Sequence, residues 1–78
     1  MNDLILNIDK LQTTVLGAER IKRNLGIDTT DVVDWCKQLI VSPYSTIARK
    51  GKNWYAIVDG CSITVNASSF TIITAHRT

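Results

Sequence analysis

Residues 46–78, TIARKGKNWYAIVDGCSITVNASSFTIITAHRT, decide the fold. Asp59-Gly60 is the strongest turn signal among them, because a two-residue hairpin loop of type I′ needs positive φ at both positions. With these two as the loop, Val58 pairs with Cys61, Ala56 with Ile63 and Trp54 with Val65, placing apolar side chains on one face. The other face then shows Asn53, Tyr55, Ile57, Ser62, Thr64 and Asn66. Alternation of this length specifies the register, since a slip of one residue would exchange the two faces.

Lys50-Gly51 reads as the preceding turn, pairing Ile47 with Trp54 on the core side and Thr46 with Tyr55 on the open side. Ser68-Ser69 reads as the last turn, setting Val65 against Ile72 and Asn66 against Thr71. Serines suit type I′ turns poorly, and a one-residue slip would reverse the whole final strand. The facing of His76 is therefore open at this stage. Strands are expected over about 45–49, 53–58, 61–66 and 70–76.

Helices are expected upstream. Leu4, Ile8 and Leu11 follow the spacing of one helix face, with Asn2 as the N-cap of a helix over about 3–12. A second, over about 17–25, buries Ala18, Ile21 and Leu25 and ends at Gly26. A third, over about 29–41, is capped by Asp28 or Thr29. Asp31 and Asp34 then sit in its early turns, where the helix dipole favours acids. Its apolar stripe is Val32, Cys36, Leu39 and Ile40, with Trp35 toward the edge, and Pro43 cannot continue it. The fold class is α+β, with two or three N-terminal helices packed on one face of a four-stranded antiparallel meander. Helices of this size cover one side of the sheet and leave the other open.

Seventy-eight residues make one domain with one small core. Two cysteines, Cys36 and Cys61, lack the density of a disulfide scaffold and read as buried thiols. One histidine and two distant cysteines do not make a metal ligand set, and no cofactor is implied. No apolar run is long enough to span a membrane, and the N-terminus lacks a secretory leader, so a cytoplasmic location is expected. Charge is uneven along the chain. Residues 1–43 hold five Lys or Arg against six Asp or Glu, a net of −1, while residues 44–78 hold four against one, a net of +3.

Arg49, Lys50 and Lys52 bracket Gly51, with Tyr55 close behind on the open face. Cations that hold a phosphate backbone beside a ring that stacks a base suit single-stranded nucleic acid, so the open face is expected to engage RNA or another phosphate ligand. Thr64, Asn66 and Thr71 add hydrogen-bonding side chains to the same patch. His76, the only imidazole, is the simplest acid–base group near neutral pH.

Two long stretches carry a resemblance, TTxxGxxRIKRNLGIxxxDVVxWCK from Thr13 to Lys37 and RKGKNWYxxxxxxxITVNAxSFTIITAHR from Arg49 to Arg77. They resemble a family of short uncharacterised bacterial proteins, one of the domains of unknown function. More loosely, the order of elements is similar to the RelE-like and barnase-like small ribonuclease toxins. The likeness rests on Arg20-Ile21-Lys22-Arg23-Asn24-Leu25-Gly26-Ile27, on Asp31-Val32-Val33, and on Thr74-Ala75-His76-Arg77. That resemblance implies an RNA site on the sheet and metal-independent cleavage through a neighbouring 2′-OH. His76 would act as acid–base catalyst there, with Arg49, Lys52 and Arg77 stabilising phosphate charge and Tyr55 stacking a base. A non-catalytic relative suits the same stretches.

Two further arrangements belong to a different class. One is an interaction protein of phage or mobile-element type that binds and inhibits a host protein such as a CRISPR nuclease. Its interface would be the sheet face or an exposed edge strand, with Tyr55 as anchor. The other is a homodimer that covers the open face.

Overall fold

The sheet forms as the turns dictate. In a computed structural model that describes residues 2–78, β1 (Thr46–Lys50), β2 (Asn53–Val58), β3 (Cys61–Asn66) and β4 (Ile72–Arg77) pair antiparallel in the order β1-β2-β3-β4. Asp59 and Gly60 both take positive φ, 50° and 72°, and Val58 pairs with Cys61, Ala56 with Ile63 and Trp54 with Val65.

The first turn differs from expectation. Gly51 and Lys52, rather than Lys50 and Gly51, form the loop, so Lys50 pairs with Asn53, Ile47 with Ala56 and Thr46 with Ile57. The positive φ of 62° falls on Gly51 as the first loop residue, where the absence of a Cβ removes the strain. A shift of two residues leaves every facing unchanged. Arg49 lies opposite Trp54, on the core side, and Lys50 lies on the open side.

β4 settles the facing of His76 by a bulge. Val65 pairs with Ile72, but Thr64 pairs with Thr74, so Ile73 is the extra residue. Ile72 and Ala75 are both buried, and a spacing of three can put both on one face only if a residue is inserted between them. Beyond the bulge Ser62 pairs with His76, which places the imidazole on the open face.

Three helices cover the other side, α1 (Asp3–Leu6), α2 (Val15–Leu25) and α3 (Val32–Ile40). The helix expected over 3–12 is instead broken. Asn2 caps α1 by accepting from the Ile5 N–H, but Asn7 ends it, and a 3₁₀ turn over Ile8–Lys10 follows. The chain then extends so that Gln12 bridges Thr71 in parallel, with the Gln12 N–H donating to the Phe70 carbonyl and the Ile72 N–H to the Gln12 carbonyl. Hydrogen bonds at the sheet edge thus replace those a longer helix would have made. α2 begins earlier than expected because the Thr14 hydroxyl accepts from the Gly17 N–H, and it ends at Gly26 with φ 66°. α3 starts later, at Val32, because Asp31 rather than Asp28 or Thr29 supplies the cap, accepting from the Asp34 N–H at 2.9 Å.

The layers meet in one apolar cluster. Leu4, Leu11, Ile21, Leu25, Val32, Cys36 and Ile40 pack against Trp54, Ala56, Ile63, Val65, Ile72 and Ala75. α2 lies over β4 and α3 over β2. Trp35 is half-buried at the margin of the cluster. No helix of the described residues is long and apolar enough to cross a membrane.

Candidate functional site

The pairings arrange the open face as a grid. One row across the strands is Thr46, Ile57, Ser62 and His76, and the middle row is Ala48, Tyr55, Thr64 and Thr74. The third row is Lys50, Asn53 and Asn66, continued by the Asn66 N–H donating to the Thr71 carbonyl. None of these residues is an acid. Six of the seven carboxylates precede residue 44, in the helical half of the chain, and Asp59 is at a hairpin tip.

The candidate residues divide by what they already do. Asn66 Oδ1 accepts from the backbone N–H groups of Ser68 and Ser69, at 2.9 and 3.0 Å, and so shapes the β3–β4 loop. The Thr71 hydroxyl accepts from Ser69 Oγ at 2.8 Å in the same loop. Arg49 lies over the Trp54 ring, 5.5 Å from its centre, and its Nε donates to the Gly51 carbonyl at 3.0 Å. Arg49 is thus a brace for the β1–β2 turn. Arg77 points to the helical side, where its guanidinium donates to the Leu25 carbonyl at the end of α2.

Lys50, Lys52, Tyr55, Thr64 and His76 are not so engaged. None of the side-chain hydrogen bonds among the described residues uses them. Thr64 lies at the floor of the face, 8% exposed, with Tyr55 and Thr74 on either side. Ala48, Lys50, Gly51, Tyr55, Ile57 and Ser62 line a groove of about 480 Å³ beside β1. Ala48, Ile57 and Ser62 had no place among the sequence candidates. Strand alternation assigns Ile57 and Ser62 to this face, but their chemistry gives no signal of a site.

Distance separates the rest. Lys50 and His76 occupy opposite corners of the grid, three strand spacings apart and in the first and third rows. At roughly 4.8 Å per strand and 3.3 Å per residue, their backbones lie about 20 Å apart. His76 and Arg77, adjacent in sequence, face opposite sides of the sheet. The row that holds His76 contains no cation.

Behind the face, Cys36 and Cys61 are buried free thiols. Burial pushes the Cys36 thiol up to about 12, and the neighbouring Cys61 adds to the shift. A thiol so held is not a nucleophile near neutral pH.

Fold and face together define a small α+β protein whose sheet is packed on one side and free on the other. Over residues 5–76 the chain matches the family described as Protein of unknown function (DUF3781), and it belongs to that family. No curated protein and no solved structure matches it. The family brings no activity with it, and the RelE-like resemblance has no counterpart in these comparisons.

Proposed function

We propose that the open face of the sheet binds single-stranded RNA. One observation carries the reading. The face holds no carboxylate and presents Lys50, with Lys52 at its end, beside Tyr55 and a floor of hydroxyls. An acid-free surface with two uncommitted ammonium groups attracts a phosphate backbone, and an accessible aromatic ring stacks a base of any sequence. Flat sheets that display aromatic side chains suit unpaired bases better than duplexes, whose bases are already stacked.

Cleavage is a separate step within this reading. His76 shares the face and would serve as acid–base group, as the RelE-like resemblance implies, but Arg77 is committed to α2. Binding therefore stands without a catalytic pair. The test is a fluorescently labelled RNA octamer titrated with the protein at several salt concentrations. Two lysine contacts on a single strand predict a slope of about −1.4 in log affinity against log salt, at roughly −0.7 per contact. Replacing both lysines, Lys50→Gln with Lys52→Gln, should remove most of that slope. Binding that ignores salt, or that survives the double variant unchanged, overturns the proposal.

A second reading is favoured by the apolar content of the same face. Ile57 is 50% exposed there and Ile73, at the bulge of β4, is 41% exposed, more than a purely ionic surface needs. A protein partner, whether a host protein or a second copy of this chain, would cover them. Association that persists at high salt distinguishes this case.

A further inference from the structure

The groove beside β1 has its own chemistry, distinct from the face at large. Its floor and walls are the Tyr55 ring, the Ile57 side chain and the small Ala48. Lys50 and the backbone of Gly51 form one end and Ser62 lies toward the other. Its volume falls within the usual range for small-ligand sites, about 300–1,000 Å³. A Cβ built on Gly51 would meet no atom within 4 Å, so the turn leaves that end unobstructed. The turn is also held in place, because its Gly51 carbonyl accepts from Arg49 and its Lys52 carbonyl accepts from the Ala67 N–H at 2.9 Å.

Resting on the RNA reading, we infer that this groove is the anchor subsite for one nucleotide of the strand. The base lies on Tyr55 between Ala48 and Ile57, and its phosphate meets Lys50 at the turn. Three features converge on that occupant. The apolar walls suit the flat face of a base, and the single cation stands at one end rather than in the middle. Ser62, with a hydroxyl outside any hydrogen bond among the described residues, stands where the ribose or base edge would reach. A diffuse polyanion surface would instead spread its cations along the face. From this anchor the strand crosses the grid toward His76. At about 3.4 Å per stacked nucleotide, a path of roughly 20 Å holds no more than about six.

Nuclear magnetic resonance with adenosine 5′-monophosphate, followed by adenylate oligomers of one to ten residues, tests this. The mononucleotide at millimolar concentration should shift the amide signals of Ala48, Tyr55, Ile57 and Ser62 before others. Affinity should rise with oligomer length and level off by about six residues. Tyr55→Leu should weaken the oligomer about 5- to 150-fold, the range expected for one lost stacking contact, while Tyr55→Phe keeps most of the affinity. Preservation of the remaining spectrum in each variant shows that it is folded. If the decamer binds while the mononucleotide leaves the groove signals in place, the anchor subsite is wrong and the wider RNA reading survives. If the decamer does not bind at all, both fall.

Discussion

Arg77 shows how a residue's direction decides its role. As a cation next to the only histidine it invites a catalytic reading, yet it points through the sheet to the helical side and satisfies the Leu25 carbonyl. A cation at a helix C-terminus stabilises both the free carbonyls and the dipole. Arg77→Ala should therefore cost about 1 kcal/mol, seen as a fall in Tm of about 4–8 °C, and leave RNA affinity unchanged. Loss of RNA binding without loss of stability would contradict this assignment. Cys36 makes a second prediction. Its thiol titrates at about 12 in the fold against an ordinary 9.0, chiefly because it is buried. A raised value means that the folded state holds the proton more tightly than the unfolded chain does. Stability from this group is complete below pH 9.0 and declines as pH rises from there toward about 12. Thermal melts across that range should show the decline, and Cys36→Ser or Cys36→Ala should reduce it. The burial of Cys36 was legible in the sequence, through its place in the apolar stripe of the third helix, but the direction of Arg77 was not. Residue type says that Arg77 is charged and Cys36 is apolar, but the side on which Arg77 falls depends on one extra residue upstream.

That extra residue belongs to the scale of elements. The Asp59-Gly60 hairpin is legible because two residues that tolerate positive φ stand between two alternating runs, and the local chain specifies its own register. The last hairpin is different. Its loop is shaped by Asn66 Oδ1 and the Ser69 hydroxyl, and its outcome depends on where Ile73 is accommodated. The burial of Ile72 and Ala75 favours the bulge, and burial requires helices that the strand sequence does not contain. The broken first helix has a similar cause. Leu4, Ile8 and Leu11 carry helical spacing, yet Gln12 gains backbone hydrogen bonds at the edge of β4, some sixty residues away in sequence. Local periodicity cannot register a competitor so distant. The candidate site inherits both results. Tyr55 and Thr64 follow from alternation alone, whereas Lys50 joins the face only through the shifted turn and His76 only through the bulge.

At the scale of the molecule, the helices bury one face and leave the other without a covering layer in a chain with a Cα radius of gyration of 11.1 Å. The two faces differ in charge as well as in packing, since most acids lie in the helical half. The end of the grid that carries Lys50 is nonetheless mechanically tied together. The bond from the Ala67 N–H to the Lys52 carbonyl extends the β2–β3 ladder past Asn53 and Asn66, and so ties the turn that holds Lys52 to the loop after β3. Ala67 thus holds one side of the turn, as Arg49 holds the other. An anion that seats the turn should slow hydrogen–deuterium exchange at Ala67, although that amide touches no ligand. Protection there with added RNA, and its loss in the double lysine variant, would be expected. Unchanged exchange at saturating RNA would mean that the turn takes no part. Where protection is seen, a single backbone amide at the end of the β2–β3 ladder reports occupancy, as a telltale wired to the turn rather than to the ligand.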